Sequence, residues 1–258
     1  MLKAESRDDR LTICALGAMA YMVQSLLHEG LGHGVAAWLS GGNTVTVSTV
    51  AMNADIDSRW IAASGTLVNL AAAVLLWIVL RRATRFTVTV RYFLILLFAG
   101  NLFTGTGYFF FSGVAGFGDW EQVIRGLHPY WLFRAGLVAL GIFSYFGSVL
   151  LVAHELRPFG RYRQRLKKLT WTPYFTEGLL AAVAGFFNPA GAIYVVLSAL
   201  PATLGANSGL LWIRYYVSPP AEGLEAKAIA RSYGWIGASL VLGFGFIFVV
   251  GRGLTWHR

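Results

Sequence analysis

His28-Glu29-Gly30-Leu31-Gly32-His33 places two imidazoles and a carboxylate within six residues. Imidazole nitrogens bind zinc, and a carboxylate beside a polarised water acts as a general base, so these residue types together point to metal-assisted hydrolysis. The run lies inside an apolar stretch, where ionisable side chains are costly and mark a site. The familiar zinc-hydrolase pattern is His-Glu-x-x-His on a helix, with both histidines on one face. Here one further residue separates them. On a regular α-helix, residues five apart are rotated by about 140°, so His28 and His33 face different ways. A π-bulge adds one residue to a turn and realigns them, and such bulges favour functional sites. Gly30, Gly32 and Gly34 make the backbone permissive there. The competing reading is that the glycines serve close helix packing and the histidines are hydrogen-bonded polar groups of a bundle.

The elements that carry these residues are membrane helices. The 258-residue chain is 56% apolar and only 13% charged, about half the usual share of charge. Apolar runs of about 20 residues suffice to cross a bilayer core, and six are read here: residues 11–39, 60–80, 91–113, 130–153, 174–204 and 232–251. The fifth is too long for one straight span, and Asn188-Pro189 is expected to kink or break it. Residues 207–216 are a candidate seventh element. Residues 43–50, Asn-Thr-Val-Thr-Val-Ser-Thr-Val, alternate β-branched and small polar side chains and predict a strand, or a hairpin running to Ile56. The expected fold class is therefore all-α: a polytopic helical bundle of about six transmembrane helices, with a small strand or hairpin between the first two. It forms a single membrane domain over 1–258, with a putative site-bearing core in 1–130 and additional helices in 131–258.

The net charge of +9 does not imply nucleic acid, because the basic residues cluster between apolar runs. Arg81, Arg82, Arg85 and Arg91 lie between the second and third spans, and Arg157, Arg161, Arg163, Arg165, Lys167 and Lys168 between the fourth and fifth. The loops after the first and third spans are poor in Lys and Arg. The positive-inside rule then predicts a multi-pass protein of a cytoplasmic membrane, of prokaryotic type, with both termini cytoplasmic and the His motif towards the outer side. The single cysteine, Cys14, excludes an intrachain disulfide and a cysteine-based metal cluster.

The lengthened spacing resembles the zinc motif of the dipeptidyl peptidase III family, which also has glycine before the second His. A wider resemblance, over about the first 130 residues, is to the site-2 protease family of intramembrane zinc metalloproteases. Three features carry it: His28-Glu29-Gly30-Leu31-Gly32-His33-Gly34 followed by Val35-Ala36-Ala37-Trp38; the strand-like segment; and Ser64-Gly65-Thr66-Leu67-Val68-Asn69-Leu70, which looks like that family's Gly-x-x-x-Asn helix. The family's third ligand is an Asp at the start of a later helix, and Gly116-Phe117-Gly118-Asp119-Trp120 is the best match, with Asp119 near the N-cap of a helix.

The resemblance implies Zn2+ held by His28, His33 and Asp119, Glu29 as catalytic base, and Gly65 and Asn69 near the substrate. It also implies a transmembrane or membrane-proximal protein segment as the substrate partner. Read from the residues alone, Asp55, Asp57, Glu121 and His128 compete with Asp119 as third ligand. Asn69 either orients a substrate carbonyl or ties helices together. A catalytically silent homologue that binds a membrane partner, and a metal-handling transporter, are the other function classes that the same residues admit. The oligomeric state is not written in the sequence.

Overall fold

A computed structural model describes residues 8–83, 85–188, 191, 193 and 195–258. The chain begins with α1 (Arg10–Ser25), continues through a π-helical segment, Leu26–Gly34, and ends its first span as α2 (Val35–Leu39). A hairpin of β1 (Thr44–Val47) and β2 (Met52–Ala54) follows. Then come α3 (Arg59–Arg82), α4 (Val88–Ala115), the short α5 (Asp119–Ile124), α6 (Tyr130–Glu155) and α7 (Arg163–Phe186). The chain reverses and returns as short π and 3-10 turns between Val195 and Tyr215, including α8 (Gly209–Trp212). The last helix, α9 (Tyr233–Gly245), extends in π form to Val250 and leads into β3 (Leu254–His257).

Helix starts follow local capping chemistry, in which a side-chain oxygen satisfies a free N–H of the first turn. Asp9 caps α1 through Thr12 N at 2.9 Å, Ser58 caps α3 through Ile61 N at 3.1 Å, and Thr87 caps α4 through Val90 N at 3.3 Å. Inside the bundle, Tyr92, Phe98, Phe103, Phe159, Leu166 and Leu169 are almost fully buried. Phe143, Leu179, Leu240 and Val241 are exposed on the outside, as expected of a surface solvated by lipid. Five helices among the described residues are long and apolar enough to cross a membrane: Arg10–Leu39, Arg59–Arg82, Val88–Ala115, Tyr130–Glu155 and Tyr233–Val250. The molecule is an all-α membrane bundle with one small sheet.

The structure corrects the reading of residues 174–204. Helix α7 starts eleven residues earlier, at Arg163, because its first turns carry the basic residues that mark it as a loop by hydropathy. For the same reason α7 is not among the five apolar spans. Pro173 lies inside it and is accommodated by Gly17 of α1, where a Cβ would come within 2.7 Å of the proline ring. The expected break near Asn188 is a full reversal, so one predicted span is two antiparallel segments. The returning segment descends alongside α7: Leu204 O accepts from Tyr174 Oη at 3.2 Å, and Leu211 O accepts from Trp171 Nε1 at 2.9 Å.

With that return, seven segments run along the bundle among the described residues. Asp9 N donates to Ile229 O at 2.8 Å and Arg165 pairs with Asp8 at 3.0 Å, placing the chain start beside the approach to α9. Beyond α9, β3 pairs antiparallel with β1, with Val45 opposite Trp256, and gives the sheet order β2-β1-β3. The two ends of the chain therefore lie at opposite ends of the bundle. The predicted hairpin is present, with Val45 opposite Ala54, and its central strand is completed from more than 200 residues away.

Candidate metal centre

In a π-helix the hydrogen bonds run from residue i to i+5, so residues five apart stack along one face. The whole stretch Leu26–Gly34 adopts this form, which is more than the single bulge the spacing requires. His28 and His33 thereby present their rings to the same point, with Nε2 atoms 3.2 Å apart. Asp119 Oδ2 completes a triangle, 3.3 Å from His28 Nε2 and 3.4 Å from His33 Nε2. His28 and His33 are buried, and among the described residues these three form the one cluster with metal-ligand spacing.

The outer nitrogens decide what the inner ones offer. His33 Nδ1 lies 2.7 Å from Ile61 O, a backbone carbonyl that can only accept. His28 Nδ1 lies 2.6 Å from Asn69 Oδ1. The Asn69 amide is oriented by its own contacts, because Nδ2 faces Gln24 O at 3.3 Å and Asn101 Oδ1 at 2.7 Å. Both imidazoles therefore carry a proton on Nδ1, which leaves both Nε2 atoms facing a carboxylate oxygen. Three electron-rich atoms so close repel unless a cation lies among them. For a tetrahedral zinc with bonds of about 2 Å, two ligand atoms are separated by about 3.3 Å. The three observed separations match that edge, so the donors fit such an ion. Outer hydrogen bonds of this kind fix ring orientation in metal sites.

Local sequence explains how each ligand arrives. At Gly65 a Cβ would strike the His33 ring, and at Gly32 it would strike the backbone at Gly65. These two glycines let the first span and α3 approach closely enough for Ile61 O to reach His33. Asp119 is the first residue of α5, and its cap position is Gly118, with φ +97°. Gly116, at φ +71°, ends α4. Two left-handed glycines around Phe117 thus fold the chain back, and they do so before the aspartate. Asp119 Oδ2 also accepts from Thr66 Oγ1 at 3.4 Å.

Glu29 is half-buried and lines a cavity of about 690 Å³ together with His33, Asp119, Tyr108 and the β2 residues Met52–Ala54. Gly65 and Asn69, expected near the substrate, both stand against the ligand rings. Gly65 makes room for a ligand ring, and Asn69 is fully buried behind His28 with its amide committed. The rival third ligands are used elsewhere. Asp55 accepts from Asn43 N at 3.0 Å in the hairpin, and Glu121 pairs with Arg125 at 2.5 Å. Asp57 lines the cavity rim, and His128 is not part of the cluster. Asn101, Thr104 and Thr106 of α4 make interhelical bonds to Asn69, Gln24 and Ser148.

Tyr108, which no motif singles out, also lines this cavity. Its ring centroid lies 4.9 Å from that of His28. Tyr108, Phe111 and Ala202 also line a second, apolar cavity of about 480 Å³ between α4, α6 and the returning segment. The helical spacing of Tyr108 from Asn101 and Thr104 was the available signal.

No protein-family model, curated protein or solved structure matches this chain.

Proposed function

We propose that this protein is an intramembrane zinc metallopeptidase of the kind its sequence resembles, the site-2 protease family. The observation that carries the reading is the triangle of His28 Nε2, His33 Nε2 and Asp119 Oδ2, with edges of 3.2, 3.3 and 3.4 Å. A divalent ion held by these atoms supplies a Lewis acid and lowers the pKa of water towards neutrality.

The chain's own residues supply the rest. Glu29, on the rim of the same cavity, accepts the proton of the attacking water and returns it to the leaving amine. Asn69 and Ile61 O hold the two rings in the tautomer that binds. Met52–Ala54 offer backbone groups along one wall, and Tyr108 the phenol along another. The apolar cavity that shares Tyr108 and Phe111 with this wall lies among α4, α6 and the returning segment, which suits an apolar substrate segment beside the site. The substrate is then a peptide bond in or next to a membrane segment of another protein.

The presence of Glu29 in the cavity favours hydrolysis over a silent homologue. The grouping of the donors at one end of the bundle favours it over an ion path. Elemental analysis of detergent-purified protein tests the metal: near-stoichiometric zinc in wild type, lost in His33→Ala and Asp119→Ala, is expected. Zinc-free, well-folded wild type after zinc supply overturns the reading. Glu29→Gln that retains zinc but loses cleavage of a reporter membrane segment then separates peptidase from metal-binding homologue.

A further inference from the structure

The end of the bundle opposite the histidines holds a second charged cluster that hydrolysis does not use. A cavity of about 330 Å³ opens there between the end of α3, the start of α4 and the end of α6, lined by Arg81, Arg91, His154, Glu155 and Arg157. The Glu155 side chain is 3% exposed, 3.1 Å from Arg81 Nε and 3.6 Å from Arg91.

One buried carboxylate thus faces two guanidinium groups, and the third on the cavity wall, Arg157, pairs with no carboxylate among the described residues. Pairing is incomplete at the level of single atoms too. The Nε of Arg91 is buried with no hydrogen-bond acceptor, and Oε1 of Glu155 has no well-aligned donor. A buried guanidinium N–H left unpaired calls for an oxygen-rich anion. The cavity also sits at a defined depth. Arg81 stacks its guanidinium over Trp77 at 5.6 Å, and Trp at a helix end marks the level of lipid headgroups. Guanidinium forks match phosphate oxygens, and basic pockets between membrane helices on the cytoplasmic side recognise anionic headgroups.

We propose that this cavity binds a phosphate group, with Arg91 and Arg157 as its contacts and Glu155 holding Arg81 and Arg91 in position. Its source is an anionic phospholipid or a free phosphate, which share this chemistry and are separable by experiment. The cluster contains the titratable His154, whose ring lies on the cavity wall and adds a further donor when protonated.

The test uses full-length protein in neutral detergent, titrated separately with phosphatidylglycerol, phosphatidylcholine and inorganic phosphate. Saturable thermal shifts and native mass spectrometry of retained lipid are read together. Wild type is expected to retain phosphatidylglycerol over phosphatidylcholine, and Arg157→Gln to weaken that binding by about five- to tenfold. Arg82→Gln removes an equal charge at the end of α3, beside Arg81 but outside the cavity, and is expected to bind like wild type. A saturable response to inorganic phosphate alone, lost in Arg157→Gln, assigns the site to a free phosphate. Equal phosphatidylglycerol binding by wild type and Arg157→Gln, with no phosphate response, overturns the proposal, and so does an Arg82→Gln loss as large as that of Arg157→Gln. Arg157 serves as the main variant because its side chain has no buried partner whose loss would unfold the protein.

Discussion

Asn69 Oδ1 lies 2.6 Å from His28 Nδ1, and the same amide donates to Asn101 Oδ1 at 2.7 Å. A chain of three side chains on three helices therefore ends in one imidazole, and it fixes which nitrogen of that ring is free. Asn69→Ala is expected to keep the fold but to weaken metal retention by about 10–100-fold, the usual cost of losing such a support. Chelator competition against wild type measures it. Unchanged retention would mean that the ring needs no support.

Glycines around the site are not equivalent. A Cβ at Gly30 meets nothing within 4 Å, whereas at Gly65 it meets the His33 ring. Gly30→Ala is expected to retain metal at wild-type level. Gly65→Ala is expected to lose it and to destabilise the fold by about 1–3 kcal/mol, the range for overpacking. Metal stoichiometry and thermal unfolding of the two variants provide the comparison, and equal behaviour would contradict the helix contact described.

Acid should loosen the hairpin before the bundle. The Thr44 backbone N–H, and then that of Asn43, hold the Asp55 carboxyl below the ordinary carboxylate value, which is about 4. A group whose pKa is depressed by folding stabilises the fold at pH values above its unfolded pKa. That contribution is lost as pH falls through the lower, folded value. Amide exchange of residues 44–54 is therefore expected to accelerate below about pH 4, and Asp55→Asn to flatten the dependence. Asp9 follows the same sign at the start of α1, where the Thr12 N–H lowers its pKa against slight burial.

Reporter fusions distinguish the two topologies directly. Tags before Asp8 and after Arg258 are expected on opposite sides of the membrane, with the basic end, and hence the N-terminal tag, in the cytoplasm. Tags on the same side would remove the returning segment as a traverse.

Trp256 packs with Ala36, Ala37, Val45, Val47 and Ile61, beside Gly34 at the end of the π segment. Trp256→Ala is expected to cost about 1–3 kcal/mol, less than a fully buried Trp because the ring is partly exposed. It should also speed amide exchange in β1. An unaltered melting midpoint would argue that β3 is only loosely docked.

Much of the site could be read from residue order, because its signals are local. The six-residue His motif forces a non-α backbone if both rings are to meet, and residues 43–50 alternate as a strand should. Asp119 stands at a helix start behind a glycine-rich turn. What escaped has no local signal. Basic residues Arg163 to Lys168 hide the first turns of α7 because hydropathy reads charge as loop, although those turns lie at a headgroup-level end. The β1–β3 pairing joins residues more than 200 apart, and nothing local in either strand names its partner. Glu177 reads as a helix-end charge, yet α7 begins fourteen residues earlier and buries it at 2% exposure against Asn207.

The placement of β3 also sets the order of assembly. The central strand of the sheet has one neighbour already when the hairpin leaves the ribosome, but its second neighbour follows the last membrane span. Every traversing helix must therefore be synthesised and inserted before Trp256 can settle against the π-helical turn that bears both histidines. A nascent chain holds both histidines and the aspartate long before that buttress exists, so the π-helical turn gains its support from β3 only after α9 has been made.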